Sequence, residues 1–150
     1  MYGHWDANVL VVLATIAAVA ACVLVHYEGL ARLSAGLGRR HESQRRRRVL
    51  HGIFGVLGLH VVEIWIFGVA SWLLLLWPQT GDIAGTHALG LLDAIYMSAV
   101  TFTTVGFGDL APVGPIRFLC GTEALAGFVL ITWSASFTFL EMDRFWRPAR

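Results

Sequence analysis

The sequence predicts an all-α membrane protein with three membrane-spanning helices and one re-entrant helical segment. Three observations lead to this class. Of the 150 residues, 57% are hydrophobic; only 14% are charged; and three apolar stretches are each long enough to cross a bilayer. A soluble domain usually carries about 25% charged residues. A soluble globule of this size could not hide so much apolar surface, so an integral membrane protein is the default interpretation.

The charged and sulfur-containing residues limit the function classes further. The formal net charge is +1, Lys is absent, and the eleven basic residues are all Arg, clustered between apolar blocks. This pattern excludes an ordinary nucleic-acid-binding protein and a disordered chain. Cys22 and Cys120 lie in apolar stretches, and we interpret both as small core residues. No arrangement typical of a catalytic site is present, so we predict neither an enzyme nor a cofactor.

Three stretches are predicted to span the membrane. The first lies in the segment 1–34 and lacks the basic region that precedes the apolar core of a signal peptide, so we expect a retained helix. The second is expected over residues 49–77 and the third over residues 115–140. An apolar run over 89–103 contains Asp93 and is too short to span, which indicates a re-entrant helix instead.

The distribution of Arg predicts the orientation. Six Arg lie in the segment 35–48 and three in the segment 141–150. Because cytoplasmic segments carry an excess of basic residues, both segments are expected inside, whereas the N-terminus and the turn-rich segment 78–88 are expected outside. The charged loop at residues 36–48 has two interpretations, a solvated linker that sets topology or a contact with anionic lipid headgroups. The lipid contact is expected at the run Arg45, Arg46, Arg47 and Arg48.

One short sequence motif has a specific chemical interpretation. The residues Thr103–Asp109, TTVGFGD, directly follow the predicted re-entrant helix. Gly106 and Gly108 reach backbone angles that other residues avoid, and alternating such angles turns successive carbonyls to the same side of the chain. Val105 and Phe107 then point away from that side, into surrounding protein. Four copies about an axis would offer rings of oxygens that replace the water shell of a dehydrated cation.

The string TTVGFGD resembles the selectivity filter of the potassium channel family. The segment 49–140 resembles its pore module of outer helix, pore helix, filter and inner helix. With its additional first helix and the EALAG segment at residues 123–127, the chain is similar to small bacterial three-helix members of the ion channel family. The resemblance implies a four-fold symmetric homotetramer that conducts K⁺ passively. It also implies a filter of residues 104–108 that ends at Gly108, with bound K⁺ ions at Thr104, Val105, Gly106 and Phe107.

Residues beside the filter are candidates for its support. The resemblance implies that Tyr96 holds Asp109 by a hydrogen bond from behind the filter, and simple packing of Tyr96 is the alternative. Thr103 is a third candidate for support. We expect Glu123 to face the back of the pore helix, where Thr101 or Thr103 donates to it, either as a structural brace or in gating.

Two further features have open interpretations. Glu63 and His60 lie three residues apart, on one face of the second span. They are either a buried, mutually hydrogen-bonded pair or a proton sensor. Gly127 is either a gating hinge or a small residue that allows close helix packing. The other histidines show no convincing metal-ligand spacing; they are His4, His26, His41, His51 and His87.

The sequence does not identify the stimulus that regulates the expected channel. The first span has no regularly spaced Arg, so it is not a charged voltage sensor. Regulation by pH, by lipid, by the filter or by a partner is compatible with the sequence, as is a constitutive leak. Two alternatives to a selective channel also remain, a weakly selective cation channel and a non-conducting membrane subunit or scaffold. The use of Arg without Lys favours a bacterial source and hence the cell membrane.

Overall fold

The computed structural model of the protein describes residues 5–38, 45–86 and 89–146. Within these residues the chain forms four α-helices. Three of them are long and apolar enough to cross a membrane, whereas α3 has twelve residues. The predicted all-α membrane class is therefore confirmed. The helices are α1 (Trp5–Gly38), α2 (Arg45–Leu75), α3 (Leu91–Phe102) and α4 (Arg117–Trp146).

The helices differ at their ends from the segments that predicted them. Helix α2 ends at Leu75 rather than at residue 77, α4 begins at Arg117 rather than at residue 115, and α3 covers Leu91–Phe102 rather than 89–103. Helix α1 continues to Gly38 rather than ending at residue 34, and α4 continues to Trp146 rather than ending at residue 140. Polar residues with adequate helix propensity prolong a helix after its apolar part has left the hydrocarbon. The parts of the predicted loop and tail at 39–44 and 147–150 lie outside the described residues.

The Arg run was expected in a loop, and this expectation is wrong. Helix α2 begins at Arg45 rather than at residue 49, so the run forms the first turn of the helix. Arg is a good helix former, and its charge remains outside the apolar span that begins at Val49. The side chain of Arg47 is exposed. The lipid contact stays a prediction, because the other three side chains are outside those described.

A small antiparallel sheet, absent from the sequence prediction, lies beside the filter segment. Strand β1 (Asp82–Ala84) pairs with strand β2 (Ala111–Val113). Before β1, a 3₁₀ turn at Pro78–Thr80 follows α2. The backbone N–H of Ile116 donates to the Thr80 carbonyl at 2.8 Å. These contacts connect the chain before α3 to the chain after the filter.

Helix α3 lies between α2 and α4. Its start is marked by Asp93, whose carboxylate accepts a hydrogen bond from the Gly90 N–H at 2.9 Å and so satisfies a free backbone donor. The charge that interrupts the apolar run in the sequence is thus a helix cap. Met97 and Phe102 are fully buried and join a core that includes Phe67. This core fixes the end of α3 from which the filter begins.

Gly127 is a close-packing position in α4. A Cβ atom at this position would overlap the Phe102 carbonyl oxygen and lie 2.7 Å from the carbonyl carbon. Backbone atoms of a buried helix end do not move independently, so only glycine fits here without shifting α3. The structure therefore supports the close-packing interpretation of this residue.

We predict that Gly127→Ala destabilises the protein by about 1–3 kcal/mol, because the added methyl group overpacks the contact with Phe102. Gly121→Ala is the matched control on the same helix, since nothing lies within 4 Å of a Cβ at that position. Thermal unfolding of the detergent-solubilised protein, followed by circular dichroism, measures both. Equal midpoints for the two variants would contradict the close approach.

Candidate functional site

The backbone of the filter segment alternates in handedness. Thr104, Gly106 and Gly108 have φ values of 60°, 53° and 80°, and Val105 and Phe107 are not among the positive-φ residues. Thr104 is the one non-glycine residue with positive φ in the described chain. An L-residue pays about 1–2 kcal/mol in the left-handed region, so this conformation requires compensation. The alternation is the one that turns successive carbonyls to the same side.

The filter segment has little cover from its own chain. All seven residues Thr103–Asp109 are exposed, and the exposed fractions of the Val105 and Phe107 side chains are 55% and 70%. A Cβ at Gly106 or Gly108 would meet nothing within 4 Å. Two large apolar side chains and an irregular backbone are thus exposed in the same segment of the chain.

Hydrogen bonds attach this segment to the end of α3. The Thr104 N–H donates to the Thr101 carbonyl at 2.9 Å, and the Gly106 N–H donates to the Val100 carbonyl at 3.0 Å. The Thr103 hydroxyl donates to the Ala99 carbonyl at 2.7 Å. The first part of the filter therefore continues from α3 as a fixed unit, and Thr103 supports the helix end.

Tyr96 of α3 lies beside Asp109, the last residue of the string TTVGFGD. Its hydroxyl donates to the Asp109 carboxylate at 2.8 Å. This hydrogen bond raises the pKa of Tyr96 above that of a free tyrosine, since loss of the phenolic proton would place two negative charges together. The contact connects α3 to the residue that ends the filter string. It is the arrangement that the resemblance implies for this pair.

Glu123 has a different partner from those expected. The Ser98 hydroxyl forms a hydrogen bond with the Glu123 carboxyl group, whereas the Thr103 hydroxyl donates to the Ala99 carbonyl. Ser98 also lies 2.8 Å from the Ile64 carbonyl. The expectation was wrong because the rotation of α3 turns Ser98, which precedes both predicted donors, towards Glu123 of α4. Ser98 thus connects α2, α3 and α4 at one buried point.

A hydroxyl has a single proton, so Ser98 cannot donate to both neighbours at once. Both contacts are satisfied together when Glu123 is protonated and donates to Ser98, which then donates to the Ile64 carbonyl. The burial of the Glu123 side chain, 1% exposed, agrees with a bracing role for this residue.

Glu63 is held by two histidines rather than one. His60 Nδ1 lies 2.8 Å from Glu63 Oε2, and His26 Nδ1 lies 2.7 Å from Glu63 Oε1. The His26 and Glu63 side chains are fully buried. The sequence spacing did not reveal the contact of His26 with Glu63, because helix pairing brings together residues that are far apart in the chain.

The hairpin register explains this convergence. Gly29 of α1 lies against Leu59 of α2, and Gly55 lies against Leu33. This antiparallel register brings His26 level with Glu63. Small residues opposite large ones on the two helices were the sequence signal that could have revealed it. The polar cluster connects the additional first helix to the rest of the bundle.

Comparison with known proteins gives one family match and several partial relatives. A family model described as an ion channel matches residues 49–142. The chain is similar to protein LctB of Geobacillus stearothermophilus, with 34% identity over 67 residues that cover 45% of this chain and 50% of the relative. No solved structure matches the chain.

Two further relatives are named as potassium channels. The inward rectifier potassium channel Kirbac3.1 of Paramagnetospirillum magnetotacticum is 32% identical over 95 residues, which cover 62% of this chain and 29% of the relative. The two pore potassium channel b of Oryza sativa subsp. japonica is 37% identical over 79 residues, which cover 52% of this chain and 22% of the relative. The matched part of the chain thus spans half or less of the length of these curated relatives.

We predict that Ser98→Ala destabilises the protein by about 1–3 kcal/mol, because the buried Glu123 carboxyl group then loses its hydroxyl partner. Ser136→Ala is the control, since the exposed Ser136 hydroxyl donates only to the Thr132 carbonyl of its own helix. Thermal unfolding in detergent measures both variants. A Ser98→Ala midpoint as high as that of Ser136→Ala would contradict the bracing role.

Proposed function

Because the chain belongs to the ion channel family, we propose that it is a potassium-selective channel in which four copies conduct K⁺ passively through residues 104–108. The family consists of membrane channels rather than enzymes, and two relatives carry the name of potassium channels. In this proposal the Thr104 hydroxyl and the carbonyls from Thr104 to Phe107 coordinate the bound ions. Gly108 ends the filter.

The alternating backbone of the filter is the observation that carries this proposal. Thr104, Gly106 and Gly108 have positive φ and alternate with residues that do not, which is the pattern expected to turn successive carbonyls to one side of the chain. Such a line of oxygens has no hydrogen-bond partner of its own, so a dehydrated cation is a suitable occupant. The strain at Thr104 is the kind of local cost that persists where function requires it.

The exposure of the filter supports the tetramer. Irregular backbone at membrane depth is tolerated only where protein buries it or where it lines a wet cavity. One copy leaves the backbone and side chains of this segment exposed, and in this proposal the other copies bury it. Each chain has one such segment, and closure of a ring of oxygens about an axis then requires several chains. A four-fold ring agrees with the family resemblance.

The helix before the filter supports a cation as the occupant. Helix α3 ends at Phe102, directly before the filter, and the C-terminal end of a helix carries partial negative charge. Four such ends directed at a common cavity would lower the energy of a cation there. An anion would be disfavoured by the same field.

We further propose that the channel lies in the cell membrane with its N-terminus outside and its C-terminus in the cytoplasm. The Arg-rich start of α2 would then face the cytoplasmic leaflet, where anionic lipids attract basic residues by about 1 kcal/mol per charge. The filter would open towards the outside. This orientation follows the excess of Arg on the cytoplasmic side.

Reconstitution into proteoliposomes tests the proposal. We expect K⁺ flux without comparable Na⁺ flux, from a protein that migrates as a tetramer after cross-linking in detergent. Equal Na⁺ flux would favour a weakly selective cation channel. A tetramer without flux would favour a non-conducting subunit, and a monomer or dimer would overturn the proposed filter.

The variant Gly106→Ala tests the filter itself. Alanine in the left-handed region costs about 1–2 kcal/mol in each of four copies, which lowers the population of the intact filter by more than about tenfold. We therefore expect K⁺ flux to fall at least about tenfold. Gly58→Ala, at an open position within α2, is the control and should conduct as the unmodified protein does. Unchanged flux in Gly106→Ala would argue against this pathway.

A further inference from the structure

We propose that His26, His60 and Glu63 form a binding site for a transition-metal ion of the Zn²⁺ type, separate from the filter. The three side chains come from α1 and α2. Each offers one ligand atom, and these atoms all lie within 4.8 Å of one another. This inference concerns a second ligand and does not depend on whether the protein conducts K⁺.

The donor set selects the class of metal. Two imidazoles and one carboxylate form a set that Zn²⁺ accepts, with a fourth position left for water or another ligand. Mg²⁺ and Ca²⁺ prefer sites made of oxygen atoms alone, and a filter of carbonyl oxygens is likewise suited to a hard cation. The nitrogen donors of this cluster therefore distinguish it from the proposed K⁺ pathway.

The burial of the cluster favours a bound ion. His26 and Glu63 have no exposed side-chain area, and they lie within apolar spanning helices. A buried carboxylate is costly unless it is paired, and metal coordination is one of the ways in which proteins compensate this cost. The His60 side chain is 14% exposed, so the chain does not enclose the cluster completely.

The surroundings resemble the outer shell of a metal site. Ser134 Oγ of α4 lies 3.4 Å from His26 Nε2, the ring nitrogen that does not face Glu63. A metal-bound histidine usually donates its other N–H to such a partner. The Trp133 ring lies 5.2 Å from the His26 ring, and the Phe102 ring lies 5.9 Å from the His60 ring. These rings limit access of water to the cluster.

Binding would replace the two hydrogen bonds to Glu63. With the ring protons on Nε2, both Nδ1 atoms offer lone pairs to the ion while His26 Nε2–H faces Ser134. Zn–N and Zn–O bonds of about 2.0–2.1 Å separate ligand atoms by roughly 3.4 Å in a tetrahedral site. The present separations of 2.7 and 2.8 Å would therefore open slightly.

Zinc binding to the full-length, untagged protein in detergent tests the proposal. After removal of metal with EDTA, the protein is titrated with Zn²⁺ against a chromophoric chelator. We expect one tight-binding Zn²⁺ per chain. His26→Ala or His60→Ala should weaken Zn²⁺ binding at least about tenfold, because even the loss of a residue that only hydrogen-bonds to a metal ligand lowers metal affinity about 10–100-fold. His51→Ala is the control, because His51 is exposed and contacts only the Arg47 carbonyl.

Each result of these measurements either supports or overturns the proposed zinc site. No tight-binding Zn²⁺ in the unmodified protein, or equal binding by the His26/His60 double variant, would overturn it and leave a hydrogen-bonded cluster only. Should the alanine variants unfold, Glu63→Gln retains side-chain size and should still weaken binding. The visible spectrum of the Co²⁺-loaded protein adds an independent measurement, since intense tetrahedral bands support the site and weak octahedral bands refute it.

Discussion

The lack of water within a bilayer is the constraint on which the rest of this structure depends. Every backbone polar group at membrane depth needs a partner, and helices α1, α2 and α4 satisfy theirs internally. The segment 104–108 is irregular instead, since Thr104, Gly106 and Gly108 have positive φ and all five residues are exposed. Irregular backbone of this kind is tolerated at membrane depth only where protein buries it or where it lines a wet cavity.

Contacts with α2 and α4 hold the end of α3 that precedes the segment 104–108. Phe102 is fully buried at the end of α3, and Gly127 lets α4 approach its carbonyl. Ser98 joins α3 to Glu123 of α4 and to the Ile64 carbonyl of α2. The close packing at Gly127 and the hydrogen bonds of Ser98 thus fix the end of α3, where the segment 104–108 begins. A strained residue such as Thr104 can persist only on a base of this rigidity.

The first helix is connected to the pore module by polar as well as apolar contacts. His26 of α1 reaches Glu63 of α2, and its other ring nitrogen faces Ser134 of α4. Polar side chains within apolar helices are costly to bury, so they specify a single register for the hairpin. Polar as well as apolar contacts therefore position helix α1 against both α2 and α4.

The sequence by itself determined the membrane class, the three spans, the short apolar helix α3 and the irregular backbone of the string after it, because hydropathy and the backbone freedom of glycine are local properties. It did not predict the β1–β2 pair, the Ser98–Glu123 contact or the meeting of His26 with Glu63. Those partners are 25 and 37 residues apart for the two side-chain contacts, and such contacts depend on the rotation and register of packed helices. Only the tertiary structure decides these quantities, since many rotations of an almost wholly apolar helix satisfy the same hydropathy pattern.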